Sequence, residues 1–280
     1  MGMLSRRSTG IFLACVLTAG AVALAAHDYA SGTFALFDGT QQTSADFWQT
    51  PPTGLTTSLK VRQRQGATEI TDYNVDFGHA MHFFIIRDDF ATFAHLHPAF
   101  NTGTGTFDQS FTKDPSHRYY VYADAIPHGI GQQVFRFTME SDGAQAPIHV
   151  SLTPSAPTAI AGPYTVVLEK TTLAANTPQS LDLTVDRAGK PAHDLGSYLG
   201  APAHCVFINT STLQYVHVHP MLRNGNDMNA KGPMQVNMTG VGPLMRLHLP
   251  AMPAGTYKLW IQFLGGAYKL YTVPFTIAVH

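Results

Sequence analysis

One stretch of this chain is written twice without a gap. Residues 78–98 (GHAMHFFIIRDDFATFAHLHP) align with residues 200–220 (GAPAHCVFINTSTLQYVHVHP) at a constant offset of 122. Gly78 falls on Gly200, His82 on His204, His95 on His217, His97 on His219 and Pro98 on Pro220. A second block repeats as well: residues 119–138 (YYVYADAIPHGIGQQVFRFT) align with residues 257–276 (YKLWIQFLGGAYKLYTVPFT) at an offset of 138. The change of offset from 122 to 138 places 16 extra residues in the second copy, in or near MLRNGNDMNAKGPMQVNM. A repeat of this length means one structural design used twice, which argues against a single large barrel. Between the copies lies residues 153–163 (TPSAPTAIAGP), whose Pro/Ala composition and lack of period read as a linker.

Each copy is about 120 residues of short apolar runs separated by turn chemistry, a length typical of one domain. No sustained 3.6-residue apolar spacing occurs after the N-terminal segment. Only 12% of the residues are charged, roughly half the usual quarter, and Thr, Gly and Pro are common. The expected fold is therefore all-β: two tandem Ig-like or cupredoxin-like sandwiches, repeat one over 26–152 and repeat two over 164–280. A formal net charge of −1 gives no reason to expect nucleic acid or an anionic membrane surface as partner.

Residues 1–25 read as an export signal. Arg6 and Arg7 form a basic start, IFLACVLTAGAVALA is apolar, and Ala23 and Ala25 satisfy the small-x-small cleavage rule. The alternative is a retained anchor, which would be the only membrane contact. Either way the expected location is periplasmic or extracellular. Cleavage would leave Cys205 as the one cysteine, which excludes an intrachain disulfide. Its apolar setting (AHCVFIN) marks it as a small core residue.

The repeated block can be folded on paper. HFFIIRDDFATFAH is two β-rich runs around a turn. With Asp88-Asp89 as the turn, His82 faces His95. Side chains alternate between faces with period two, so His82, His95 and His97 share one face. About Thr210-Ser211 the second copy gives the same result for His204, His217 and His219. Three imidazoles on one face suit Cu(II), Zn(II) or Ni(II). The extra segment adds Met221, Met228, Met234 and Met238, and Met221 and Met228 are candidate soft ligands for copper(I). The competing interpretation makes these histidines core residues and the methionines loop filler. No H-E-x-x-H, G-x-S-x-G or G-x-x-x-x-G-K-S/T occurs. Asp88 and Asp89 at a hairpin tip read as solvated turn carboxylates rather than an acid/base pair. No enzyme is expected.

The segments MHFFIIRDDFATFAHLHP and YLGAPAHCVFINTSTLQYVHVHP, with GTYKLWIQF downstream, resemble a widespread group of exported bacterial His-x-His-Pro proteins. Members are described as secreted or heavy-metal-binding, with Ig-like, copper-protein-like sandwiches. The resemblance covers about half the mature chain. It departs at GAPAH, where a Gly directly before the His is the pattern. It implies an envelope location and copper handling through His82, His95, His97, His204, His217 and His219. Two functions thus remain open on sequence. The first is an exported transition-metal protein, copper above zinc, for storage, delivery or detoxification. The second is a non-catalytic envelope module with an unidentified protein partner.

Overall fold

A computed structural model describes residues 33–36, 42–140, 150–223 and 239–280. The candidate signal segment and Met228, Met234 and Met238 lie outside the described residues. The described chain forms two antiparallel β-sandwiches in tandem. In the first, one sheet orders the strands Ser44–Gln49, Thr56–Gln65, Thr106–Thr112 and Ala99–Asn101. The facing sheet orders Gln133–Met139, Tyr119–Pro127, Met81–Arg87 and Phe93–Leu96. In the second, the strands Tyr164–Leu168, Gln179–Arg187, Leu244–Leu249 and Met221–Leu222 face Lys269–Val279, Gly255–Gly265, His204–Asn209 and Tyr215–Val218. Read in chain order, both copies follow the immunoglobulin arrangement of an A-B-E-D sheet against a G-F-C-C′ sheet. Both also carry the tyrosine corner of that fold. Tyr119 Oη accepts from the Asp114 amide at 2.9 Å, and the repeat-equivalent Tyr257 Oη donates to the Pro253 carbonyl at 3.0 Å.

The two sandwiches stack into four layers. Strands of the outer sheets alternate: along Thr56–Gln65 every second residue is buried, with Leu59 and Val61 in the first core. The strands Met81–Arg87 and His204–Asn209 do not alternate, and their side chains are buried almost end to end. Met81, Phe83 and Ile85 fill the first sandwich, and Cys205 and Phe207 fill the second. The intervening residues Phe84, Ile86, Val206 and Ile208 join Tyr122, Tyr215 and Trp260 in a third core between the sandwiches. The inner sheets therefore face each other, and cover on both sides keeps these two central strands continuously buried.

Three details differ from the sequence-based expectation. The hairpins use four-residue loops, so the pairs are Phe84 with His95 and Val206 with His217, and each register moves by two. Two-residue turns favour Gly or Asn at positive φ, which Asp88-Asp89 and Thr210-Ser211 lack. The longer loops instead place Phe90 (φ 58°) and Leu213 (φ 60°) in the left-handed region. A shift of two preserves the face, so the histidines still converge. Next, part of the supposed linker is a strand: Thr158–Ala161 pairs with Tyr164–Leu168 around Gly162-Pro163, with Gly162 at φ 58°. Finally, Thr33–Leu36, in the stretch assigned to repeat one, pairs with Tyr215–Val218 of the second sandwich.

Candidate metal centres

Each His-x-His-Pro hairpin gathers its three histidines into a cluster whose ligand atoms all lie within 4.8 Å of one another: His82, His95 and His97, and His204, His217 and His219. Both clusters point into the layer between the sandwiches. His95 and His204 come within 5.4 Å, ring centroid to ring centroid, and His82 and His217 within 6.4 Å. In each copy a tight turn precedes the first histidine. Phe77-Gly78 and Leu199-Gly200 take positive φ. These turns present the carbonyls of Asp76 and Tyr198 to His82 Nε2 (3.0 Å) and His204 Nε2 (3.2 Å).

Those contacts assign protons. A neutral imidazole has one N–H and one lone pair. His82 Nε2 donates to the Asp76 carbonyl, so its Nδ1 carries the lone pair. Gln262 Nε2 donates to Thr272 Oγ1 (3.0 Å), which leaves Gln262 Oε1 to accept from His95 Nδ1 at 2.9 Å. His95 Nε2 therefore also carries a lone pair. These two nitrogens, His82 Nδ1 and His95 Nε2, face each other at 3.0 Å. A third, His97 Nε2, is buried without a hydrogen-bond partner. Burial, with the neighbouring histidines, pushes His95 well below its ordinary pKa. His82 is lowered by the same burial, and His97 is pushed down to about 3. A shared proton is thus disfavoured, and lone pairs turned inward suit a cation. In the second cluster His204 Nδ1 faces His219 Nε2 at 2.9 Å and His217 Nε2 at 3.2 Å, and burial holds His204 well below the usual range.

Residues that the motif did not mark complete the site. Positions 124 and 262 are repeat equivalents at the offset of 138, and both cross to the other sandwich. Gln262 holds His95 as described. Asp124 Oδ2 lies 3.6 Å from His217 Nδ1, too long for a hydrogen bond. The aromatic residues obey the same exchange: Phe93 stacks on Trp260 at 4.9 Å, and their equivalents Tyr215 and Tyr122 stack at 5.3 Å. His79 stacks on His97 at 3.8 Å, and Phe77 covers His219 at 3.9 Å. Lifting the second-block alignment onto the first would have marked the 124/262 pair. Nothing in the sequence marks Phe77.

The remaining candidates lie elsewhere. Met221 pairs with Arg246 in the outer sheet, while its neighbour Leu222 packs into the second core. Alternation then turns Met221 to the outer face of that sheet, away from the histidines. Cys205 points from its strand into the core opposite His204, and burial raises its thiol pKa. Asp88 is buried rather than solvated and accepts from His117 Nδ1 at 2.8 Å, while Asp89 pairs with Arg87.

A family model described as a domain of unknown function (DUF8832) matches residues 158–280, the second sandwich with its leading strand. No curated protein matches the chain. Among solved structures, a two-domain fibronectin type III segment of chicken tenascin is 10% identical, with a TM-score of 0.23, over 83% of this chain and 97% of that one. A bacterial ice-binding adhesin is 10% identical, with a TM-score of 0.25, over 85% and 65%. Domains 4 and 5 of the S-layer protein SbsC are 12% identical, with a TM-score of 0.23, over 80% and 82%. At these scores none of them bears on the site.

Proposed function

We propose that this is an exported transition-metal-binding protein with two three-histidine sites, and that the ion is copper, for storage, delivery or detoxification. The supporting observation is the pair of inward lone pairs on His82 Nδ1 and His95 Nε2, beside the buried, unpartnered His97 Nε2. Two N–H groups are already committed outward, and His82 Nδ1 and His95 Nε2 stand 3.0 Å apart. Among divalent ions Cu(II) binds imidazole sites most strongly, which favours it over Zn(II). Among the described residues the ligands are histidines alone. The basic, apolar N-terminus with its A-L-A site supports export.

The test is metal analysis of the purified protein by mass spectrometry, followed by titration with Cu(II) and Zn(II). Two equivalents are expected. Replacing His95 and His97 with Ala should remove one equivalent and leave the other. Absence of any bound metal, and of uptake at micromolar free ion, would leave the histidines as packing residues of an envelope module.

A further inference from the structure

The duplicated sites are not chemically equal. Across the interface each is backed by the residue at one repeat position, and that residue differs. Gln262, an amide, stands behind His95. Asp124 stands behind His217 and is buried at 3% exposure. It accepts hydrogen bonds from Gln132 Nε2 (2.5 Å) and Tyr215 Oη (2.7 Å), both donors, as suits an acceptor-only carboxylate. Enclosure differs too. His204, His217 and His219 are 1%, 2% and 7% exposed, and the Phe77 ring lies over His219. In the other site His97 is only half-buried and stacks on the half-buried His79, whose repeat position holds the buried Ala201.

We infer that the site of His204, His217 and His219 is a retaining site, made tighter for a divalent ion by the Asp124 carboxylate. The site of His82, His95 and His97 is the exchanging one. Asp124 and Gln262 are the specificity-determining pair: Gln262 orients His95 through a hydrogen bond, and Asp124 acts on His217 through its charge at 3.6 Å. The inference rests on the metal-binding reading. A carboxylate beside the far nitrogen of a ligating imidazole, here 3.6 Å from His217 Nδ1, favours the imidazole as a donor and places negative charge near the dication. Loss of such an outer partner usually costs 10–100-fold in affinity. The other site has only an amide, Gln262, on the far nitrogen of its ligand His95; there Asp124 is a cross-strand neighbour of His82 and acts on it through charge alone. Enclosure acts on the rates, because an ion under Phe77 leaves only when the interface opens.

The experiment titrates the full chain with Cu(II), and separately with Zn(II), against a chromophoric chelator. His97→Ala and His219→Ala variants assign each step to a site. Two steps at least about 10-fold apart are expected, the tighter one lost in His219→Ala. Asp124→Asn should weaken that step by about 10–100-fold while keeping two equivalents at high metal. Gln262→Glu should tighten the other step, a gain that a merely structural residue would not give and that stands if Asp124→Asn misfolds. Two equal steps, or a gap unmoved by either variant, would overturn the inference while leaving metal binding intact. A wild-type protein that takes up neither ion would sink both.

Discussion

At the scale of single residues, the histidines are set by burial more than by charge. Five of them (His79, His82, His95, His97 and His204) have pKa values lowered by burial, His97 to about 3. In the unfolded chain they take up protons near their ordinary 6.5. Below that pH the unfolded state binds protons that the folded state refuses, so stability is present above about 6.5 and lost as pH falls toward the folded-state values. Asp76 works the other way. Burial and the Asp124 charge raise it to about 7, so it gains a proton on folding below that pH and stabilises there. Asp76 alone does not offset these imidazoles. With a chelator present, the melting temperature should fall steadily from pH 7 to pH 5, and His97→Gln should flatten the slope. A melting temperature unchanged over that range would mean that the imidazoles are wet.

At the scale of strands, the inner and outer sheets differ in a way the sequence already carried. TSLKVRQRQ alternates because one face meets solvent; HFFII and HCVFI do not, because both faces are covered. The β-class, the repeat and the histidine faces were legible because period two survives a register error of two residues. Loop length was not legible. It turned on Phe90 and Leu213 accepting positive φ, which residue type disfavours. The face-to-face docking was present in the continuous apolar runs, but such runs fit a buried strand in many settings. The repeat alignment marks positions 124 and 262 as equivalents, but not as site residues, because the partners of each belong to the other copy. The two-sided burial has a measurable consequence. Successive residues Phe83 and Phe84 fill different cores. Phe83→Ala and Phe84→Ala should therefore each cost about 3–5 kcal/mol in urea denaturation. On the outer strand Lys60→Ala, which breaks a partly exposed pair with Asp108, should cost at most about 1 kcal/mol. A Phe84→Ala cost below about 1 kcal/mol would mean that the inner faces are not packed together.

At the scale of the molecule, the two copies behave as an internal dimer with an isologous interface. Phe93 meets Trp260 as Tyr215 meets Tyr122, and position 262 reaches His95 as position 124 reaches His217. Tandem domains commonly meet over modest polar surfaces and unfold separately. Here the middle layer is apolar, and it encloses the histidines and the Asp124 network. If one sandwich unfolded alone, Val206, Ile208, Tyr215 and Trp260 of the other would lose their cover, and Asp124 or Gln262 would lose its partner. The chain strengthens the tie by lending Thr33–Leu36 to the edge of the second inner sheet. Calorimetry of the intact chain should therefore show one transition whose van't Hoff and calorimetric enthalpies agree. Trp260→Ala removes the ring under Phe93 and should split that transition in two, the first sandwich melting apart from the second. Two transitions in the unaltered chain would mean that the copies fold independently. The cross-domain partners of His95 and His217 would then be held in place by something weaker than the shared core.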